Sequence, residues 1–167
     1  MNYELHQELV MKTKESRAPL PEELNVLMVG NNPIDLDRVF ESLNRIPGKR
    51  IITEIAFDLK TMVERLTRFT PHFILLDDNI GKSELTNSVQ ALLRFRKTKK
   101  IPITVLKNSN YQEAINSGVL NYVLKANLTG ESLYKALKNS MKFRQTQRYL
   151  YNAYRKRKGQ LARLIRN

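Results

Sequence analysis

Four apolar residues, Phe73-Ile74-Leu75-Leu76, run without interruption into Asp77-Asp78-Asn79, and Gly81 follows. An unbroken apolar run of strand length reads as a strand buried on both faces, as in the middle of a parallel sheet. Similar runs predict four more strands: Asn25 to Val29 ahead of the turn Gly30-Asn31-Asn32-Pro33, the β-branched stretch Ile51 to Phe57, Ile101 to Leu106, and Val119 to Leu124. Between them apolar positions recur at helical spacing. Ile34, Leu36, Val39, Phe40, Leu43 and Ile46 form one set, with Pro33 suited to a first helical position and Pro47-Gly48 to a stop. Leu59, Met62, Val63, Leu66 and Phe69 form a second, ended by Pro71, and Leu85, Val89, Leu92, Leu93 and Phe95 a third. A short helix is predicted from Tyr111 to Ser117. A last helix is predicted from Thr129 or Gly130, with Thr129 as its cap, to Lys158, with a bend at Gly159. Five strands alternating with helices imply an α/β fold, a doubly wound five-stranded parallel sheet with right-handed crossovers.

Ahead of this pattern, Leu5, Leu9 and Lys12 share one helical face, and Ser16-Arg17-Ala18-Pro19-Leu20-Pro21 breaks it. The expected organisation is an amino-terminal helix and linker at 1–23, a folded domain at 24–142 and a basic helical extension at 143–167. In open parallel sheets chemistry gathers at the carboxyl ends of the strands, so Asp77-Asp78-Asn79 marks the expected site.

Charge and composition narrow the chemistry. The 167 residues are 41% hydrophobic, enough for a full core, and carry a formal net charge of +13. From Glu131 to Asn167 eleven Lys and Arg face one acid, so this segment carries +10 of that charge. A near-neutral body with a basic tail points to an anionic partner for the tail: nucleic acid, an acidic protein face or a membrane surface. There is no cysteine, and His6 and His72 are too few for a histidine zinc site. No leader pattern and no run of about 20 apolar residues is present, so a cytoplasmic protein with no membrane span is expected. The basic stretch Arg94 to Lys100 reads as a solvated helix end. Gly81-Lys82-Ser83 lacks the earlier glycine of a phosphate-binding loop, since Leu76 stands there, and Gly30 lacks the companions of a dinucleotide fingerprint. Asn127-Leu128-Thr129 matches a glycosylation sequon that has no meaning without export. No nucleophile and base pair emerges, so an enzyme is not expected.

The order of these features resembles the receiver domain of bacterial two-component response regulators over about residues 24 to 142. Val26-Leu27-Met28-Val29-Gly30-Asn31-Asn32-Pro33 matches the strand that runs into an acidic pair, and Ile74 to Asn79 the strand that ends in the phospho-accepting aspartate. Pro102 to Lys107 matches the strand that ends in Thr or Ser, and Gly118 to Ala126 the strand with an aromatic and then Lys-Pro. The resemblance implies a flavodoxin-like, CheY-like fold, makes Asp77 the phosphoacceptor equivalent, and keeps Tyr122 and Lys125 in their family positions. It also exposes departures. The acidic pair falls on Gly30 and Asn31, the switching hydroxyl on Lys107, and the proline after the lysine on Ala126. A hard divalent cation wants several carboxylate oxygens, so magnesium binding is not expected and no cofactor is implied. Asp77 would instead face Lys125 and, unless Lys107 simply points to solvent, Lys107 as well, each pair at about 4 Å worth on the order of 4 kcal/mol before desolvation. The resemblance thus implies a degenerate receiver, or pseudo-receiver, in phosphorelay signal transduction. Its partners would be signalling proteins such as a histidine kinase or a downstream effector domain.

Beyond Lys142 the last helix carries Phe143, Gln147, Leu150, Tyr154, Arg157, Leu161 and Leu164 at alternating spacings of four and three, a coiled-coil-like stripe. Phe143, Leu150, Tyr154, Leu161 and Leu164 are the expected dimer or partner contacts, giving a homodimer through this helix. Tyr149, Tyr151 and Tyr154 among basic residues offer the alternative, a nucleic-acid-binding regulator that stacks bases and pairs phosphates.

Overall fold

The structure, a computed structural model, describes residues 20–108, 119 and 121–165. Five strands, β1 (Glu23–Val29), β2 (Arg50–Ala56), β3 (Phe73–Asp77), β4 (Ile103–Lys107) and β5 (Asn121–Leu124), form one sheet in the order β2-β1-β3-β4-β5. Every pairing is parallel. The helices are α1 (Pro33–Asn44), α2 (Leu59–Arg68), α3 (Lys82–Arg94) and α4 (Gly130–Ile165). Short 3-10 turns at Asp78–Ile80 and Lys125–Asn127 follow β3 and β5.

All five residues of β3 are buried, as a central strand flanked on both faces requires. Alternate side chains Leu27, Val29, Ile74, Leu76, Ile103 and Val105 meet Met62 and Leu66 of α2 and Leu85, Val89 and Leu92 of α3 in one core. The residues between them point to the other face, where Thr104 Oγ1 lies 3.4 Å from Ser140 Oγ of α4. The start of α4 also abuts α1: a Cβ on Gly130 would stand 2.9 Å from the Ser42 carbonyl oxygen, so only glycine fits that approach.

Local chemistry sets the helix ends. Asn32 Oδ1 accepts from the Ile34 and Asp35 amides at 3.0 and 3.4 Å with Pro33 at the first position of α1, and Asp58 and Thr61 form a reciprocal cap on α2. Thr129 Oγ1 accepts from the Ser132 amide at 3.0 Å at the head of α4.

Several boundaries differ from the sequence expectation, and two of the differences have a plain local cause. β4 begins at Ile103 rather than Ile101: Pro102 has no amide proton for a ladder, and the Ile101 amide is spent on the Thr98 carbonyl at 2.8 Å. α4 continues through Gly159 to Ile165 instead of stopping at Lys158. A helical glycine costs only about 1 kcal/mol, and Gln160, Leu161, Ala162, Arg163 and Leu164 after it are good helix formers. The expected helices near Leu5 and from Tyr111 to Ser117 lie outside the described residues.

The chain divides into two compact units, one of residues Leu20–Ser140 and one that includes 141–165. Among the described residues no helix is long and apolar enough to cross a membrane.

Candidate functional site

The carboxyl ends of β1, β3 and β5 bring together residues distant in sequence. Asp77, the last residue of β3, is fully buried, with its Oδ1 2.5 Å from Lys125 Nζ just after β5. The same ammonium lies 3.1 Å from Asp35 Oδ2 and 3.8 Å from Asp78 Oδ1. Three carboxylates therefore surround one lysine. Amide donors supply further stabilisation: the Asn79 backbone donates to Asp77 Oδ1 at 2.8 Å, Asn79 Nδ2 to Asp35 Oδ2 at 2.8 Å, and the Asn108 backbone to Asp78 Oδ2 at 3.1 Å. Asn108 Nδ2 also donates to Asn79 Oδ1.

Gly30 is buried, and a Cβ there would stand 3.0 Å from both Asp77 Cβ and Leu36 Cδ2, tighter than ordinary contact. Asn31 is exposed, and its Nδ2 donates to the Asn79 carbonyl at 3.2 Å. The magnesium implied by the receiver fold does not fit these residues. Position 30 has no side chain, Asn31 turns a donor toward a carbonyl oxygen, and Lys125 takes the Asp77 oxygen. Among the described residues no group of three or more His, Cys, Asp or Glu is placed to hold a metal ion.

Lys107 departs from the expected arrangement. Its ammonium lies 4.8 Å from the centroid of the Tyr122 ring, a cation–π contact across the β4–β5 pair, and the salt bridge of Asp77 among the described residues is with Lys125. The physical reason is register: Lys107 stands opposite Leu124 at the carboxyl end of β4, one residue beyond the Leu106 that pairs with Asp77. Tyr122 is 41% exposed, and partial burial raises its phenol above the ordinary tyrosine range.

Two members of the site carry no signal in the family motif. Asp35 lies in the first turn of α1, three residues after the Asn32 cap, a spacing that signals a helix start rather than a site. Asn108 follows β4 and gives no signal in the sequence. On α4, Phe143, Leu150, Tyr154, Leu161 and Leu164 are all exposed, together with Tyr151 and Ile165. Arg155 to Lys158 are exposed as well.

The sequence matches no protein-family model, and no curated protein sequence is significantly similar to it. Solved structures are similar to it in fold. The receiver domain of a sensor histidine kinase from Pseudomonas aeruginosa, determined with magnesium in its active-site cleft, superposes with a TM-score of 0.61 at 16% identity over 71% of this chain and 98% of that one. A chemotaxis response regulator of Vibrio cholerae gives 0.59 at 20% over 71% and 98%. A chain fusing the yeast Spc42 trimeric coiled coil to another structure gives 0.62 at 17% over 86% and 99%. With its five parallel strands in the order β2-β1-β3-β4-β5 and its matches to these structures, the chain has the fold of the response-regulator receiver domain.

Proposed function

We propose that the chain is a pseudo-receiver, a signalling module that acts through protein contacts and in which Asp77 does not undergo ordinary magnesium-dependent phosphorylation. The observation that carries this reading is the loss of both acidic partners at Gly30 and Asn31, which leaves Lys125, held by Asp35, Asp77 and Asp78, as the cation beside Asp77. An incoming phosphoryl group would meet two uncompensated carboxylates and no divalent charge to offset its own. The phosphoacceptor-equivalent residue therefore serves as an ion-pair partner. Its partners would be a histidine kinase or a downstream effector in the cytoplasm, and a second copy joined through the exposed stripe of α4.

Intact-mass spectrometry after treatment with a small phosphodonor and millimolar magnesium tests this, with Asp77→Asn as control. No mass gain is expected. A stoichiometric gain that requires both magnesium and Asp77 would overturn the reading.

One observation favours a second reading: the exposed Arg155-Lys156-Arg157-Lys158 beside exposed Tyr151 and Tyr154. A helix of this kind would bind a nucleic acid through its phosphates, with an affinity that falls steeply as salt rises. Absence of binding to duplex or single-stranded DNA at low salt would remove it.

A further inference from the structure

At the opposite end of α3 from Asp77, about 18 Å along a 13-residue helix, an apolar hollow of about 280 Å³ opens between α2 and the turn after α3. Val63 and Leu66 form one wall and Phe95 with Thr98 the other, and Phe95 is 41% exposed. Arg96 and Lys97 stand at the rim, and Arg94, Lys99 and Lys100 are exposed close by in sequence. No acid occurs between Glu84 and Glu113, and among the described residues none of these five cations is in a salt bridge. The turn is also held firmly. The Thr98 hydroxyl donates to the Leu92 carbonyl at 2.6 Å, and the Thr98 and Lys99 amides both donate to Phe95 at 3.1 and 2.9 Å. The cations are thus presented by a preorganised backbone, which lowers the ordering cost of binding.

We infer that this hollow docks a peptide segment of a partner protein in which acidic residues flank one large apolar side chain. The volume lies just below the roughly 300–1,000 Å³ of small-molecule sites, and suits one leucine or phenylalanine as an anchor. Carboxylates beside the anchor would reach Arg96 and Lys97. A nucleic-acid backbone or an anionic bilayer fits less well, because Val63 also borders a second hollow where Asp58, Glu64 and Glu84 outnumber the one base, Lys60. A uniformly negative partner lying across both hollows would meet these acids, whereas a short acidic segment meets only the basic end. The proposal concerns a face remote from Asp77 and does not depend on the phosphorylation state of that residue.

The test is fluorescence polarisation of the full chain with a labelled peptide that alternates glutamate with leucine and phenylalanine. A lysine-for-glutamate peptide and a DNA duplex serve as competitors. Saturable binding is expected, weakened at least about tenfold by Arg96→Glu/Lys97→Glu and several-fold by Phe95→Ala, and unaffected by Arg155→Glu/Lys156→Glu on α4. All substituted side chains are exposed, and circular dichroism checks that each variant folds. Amide resonances of Val63, Leu66 and Phe95 should shift on titration. Absence of binding, equal binding by the Arg96→Glu/Lys97→Glu variant, loss in the α4 variant instead, or displacement by the DNA duplex would each overturn the proposal.

Discussion

Replacing Lys125 by methionine keeps the length of the side chain and removes the one cation among three carboxylates. At 2.5, 3.1 and 3.8 Å, and at an effective dielectric of about 20, the three contacts are worth roughly 7, 5 and 4 kcal/mol before desolvation. Burial of the ions and mutual repulsion of the acids offset most of that sum. What remains is the cost of leaving Asp77 buried without a counter-ion, about 3–5 kcal/mol. For a chain of this size that corresponds to a fall in Tm on the order of 10 °C. Equilibrium urea unfolding of wild type, Lys125→Met, Asp77→Asn and the double variant closes a thermodynamic cycle. Asp77→Asn should cost less than Lys125→Met, since Asp35 and Asp78 still face the lysine. The double variant should recover about 1–3 kcal/mol relative to Lys125→Met, because the orphaned carboxylate is gone. A Lys125→Met variant within about 1 kcal/mol of wild type, or a double variant no more stable than Lys125→Met, would refute the reasoning that the lysine is the counter-ion of a buried carboxylate.

Three further outcomes are expected. The 167-residue chain should sediment as a dimer and Leu150→Asp/Leu161→Asp as a monomer in analytical ultracentrifugation, because the exposed 4-3 stripe of α4 has most to gain from a second helix; two monomers would remove the stripe as an interface. Gly130→Ala should lower stability by about 1–3 kcal/mol in thermal unfolding, since its Cβ would press on the Ser42 carbonyl at 2.9 Å. The amide and hydroxyl of Thr61 hold the Asp58 carboxyl below the usual carboxylate range, and Lys60 acts in the same direction. A lowered folded-state value means that the stability from this cap is complete above the ordinary carboxylate range and lost as pH falls through the depressed value. Asp58→Asn should therefore flatten the acid limb of the stability curve, and an unchanged limb would count against the cap.

The sheet was legible because each strand is an uninterrupted apolar run between turn residues, and β3 above all can only be central. Asp77 and Lys125 stood out by their order along the chain, each at the end of a strand. Asp35 did not, because its side chain matters only once the first turn of α1 comes to lie beside the end of β5, a contact 90 residues apart that no local pattern encodes. Lys107 shows the converse limit. Its place at the end of β4 was legible, whereas its direction depends on how Tyr122 stands on the neighbouring strand. The stripe on α4 was readable from its spacing, up to Leu161 and Leu164 beyond Gly159, whereas the exact end of the helix was not, because one glycine is too weak a breaker to end a helix whose flanks favour it.

The lysine cluster also bears on the order in which the chain assembles. Asp35, Asp77 and Asp78 belong to the first half of the sequence, and their cation arrives only with the last strand. Closing the 90-residue loop between Asp35 and Lys125 costs about 4 kcal/mol of chain entropy. Until β5 docks, the carboxyl edge of the growing sheet gathers negative charge that repels itself. Without β5 in place that edge would hold three carboxylates and no Lys125, so pairing of β5 and neutralisation of the edge are coupled. Added salt should weaken this coupling only modestly, because Asp77 and Lys125 are buried.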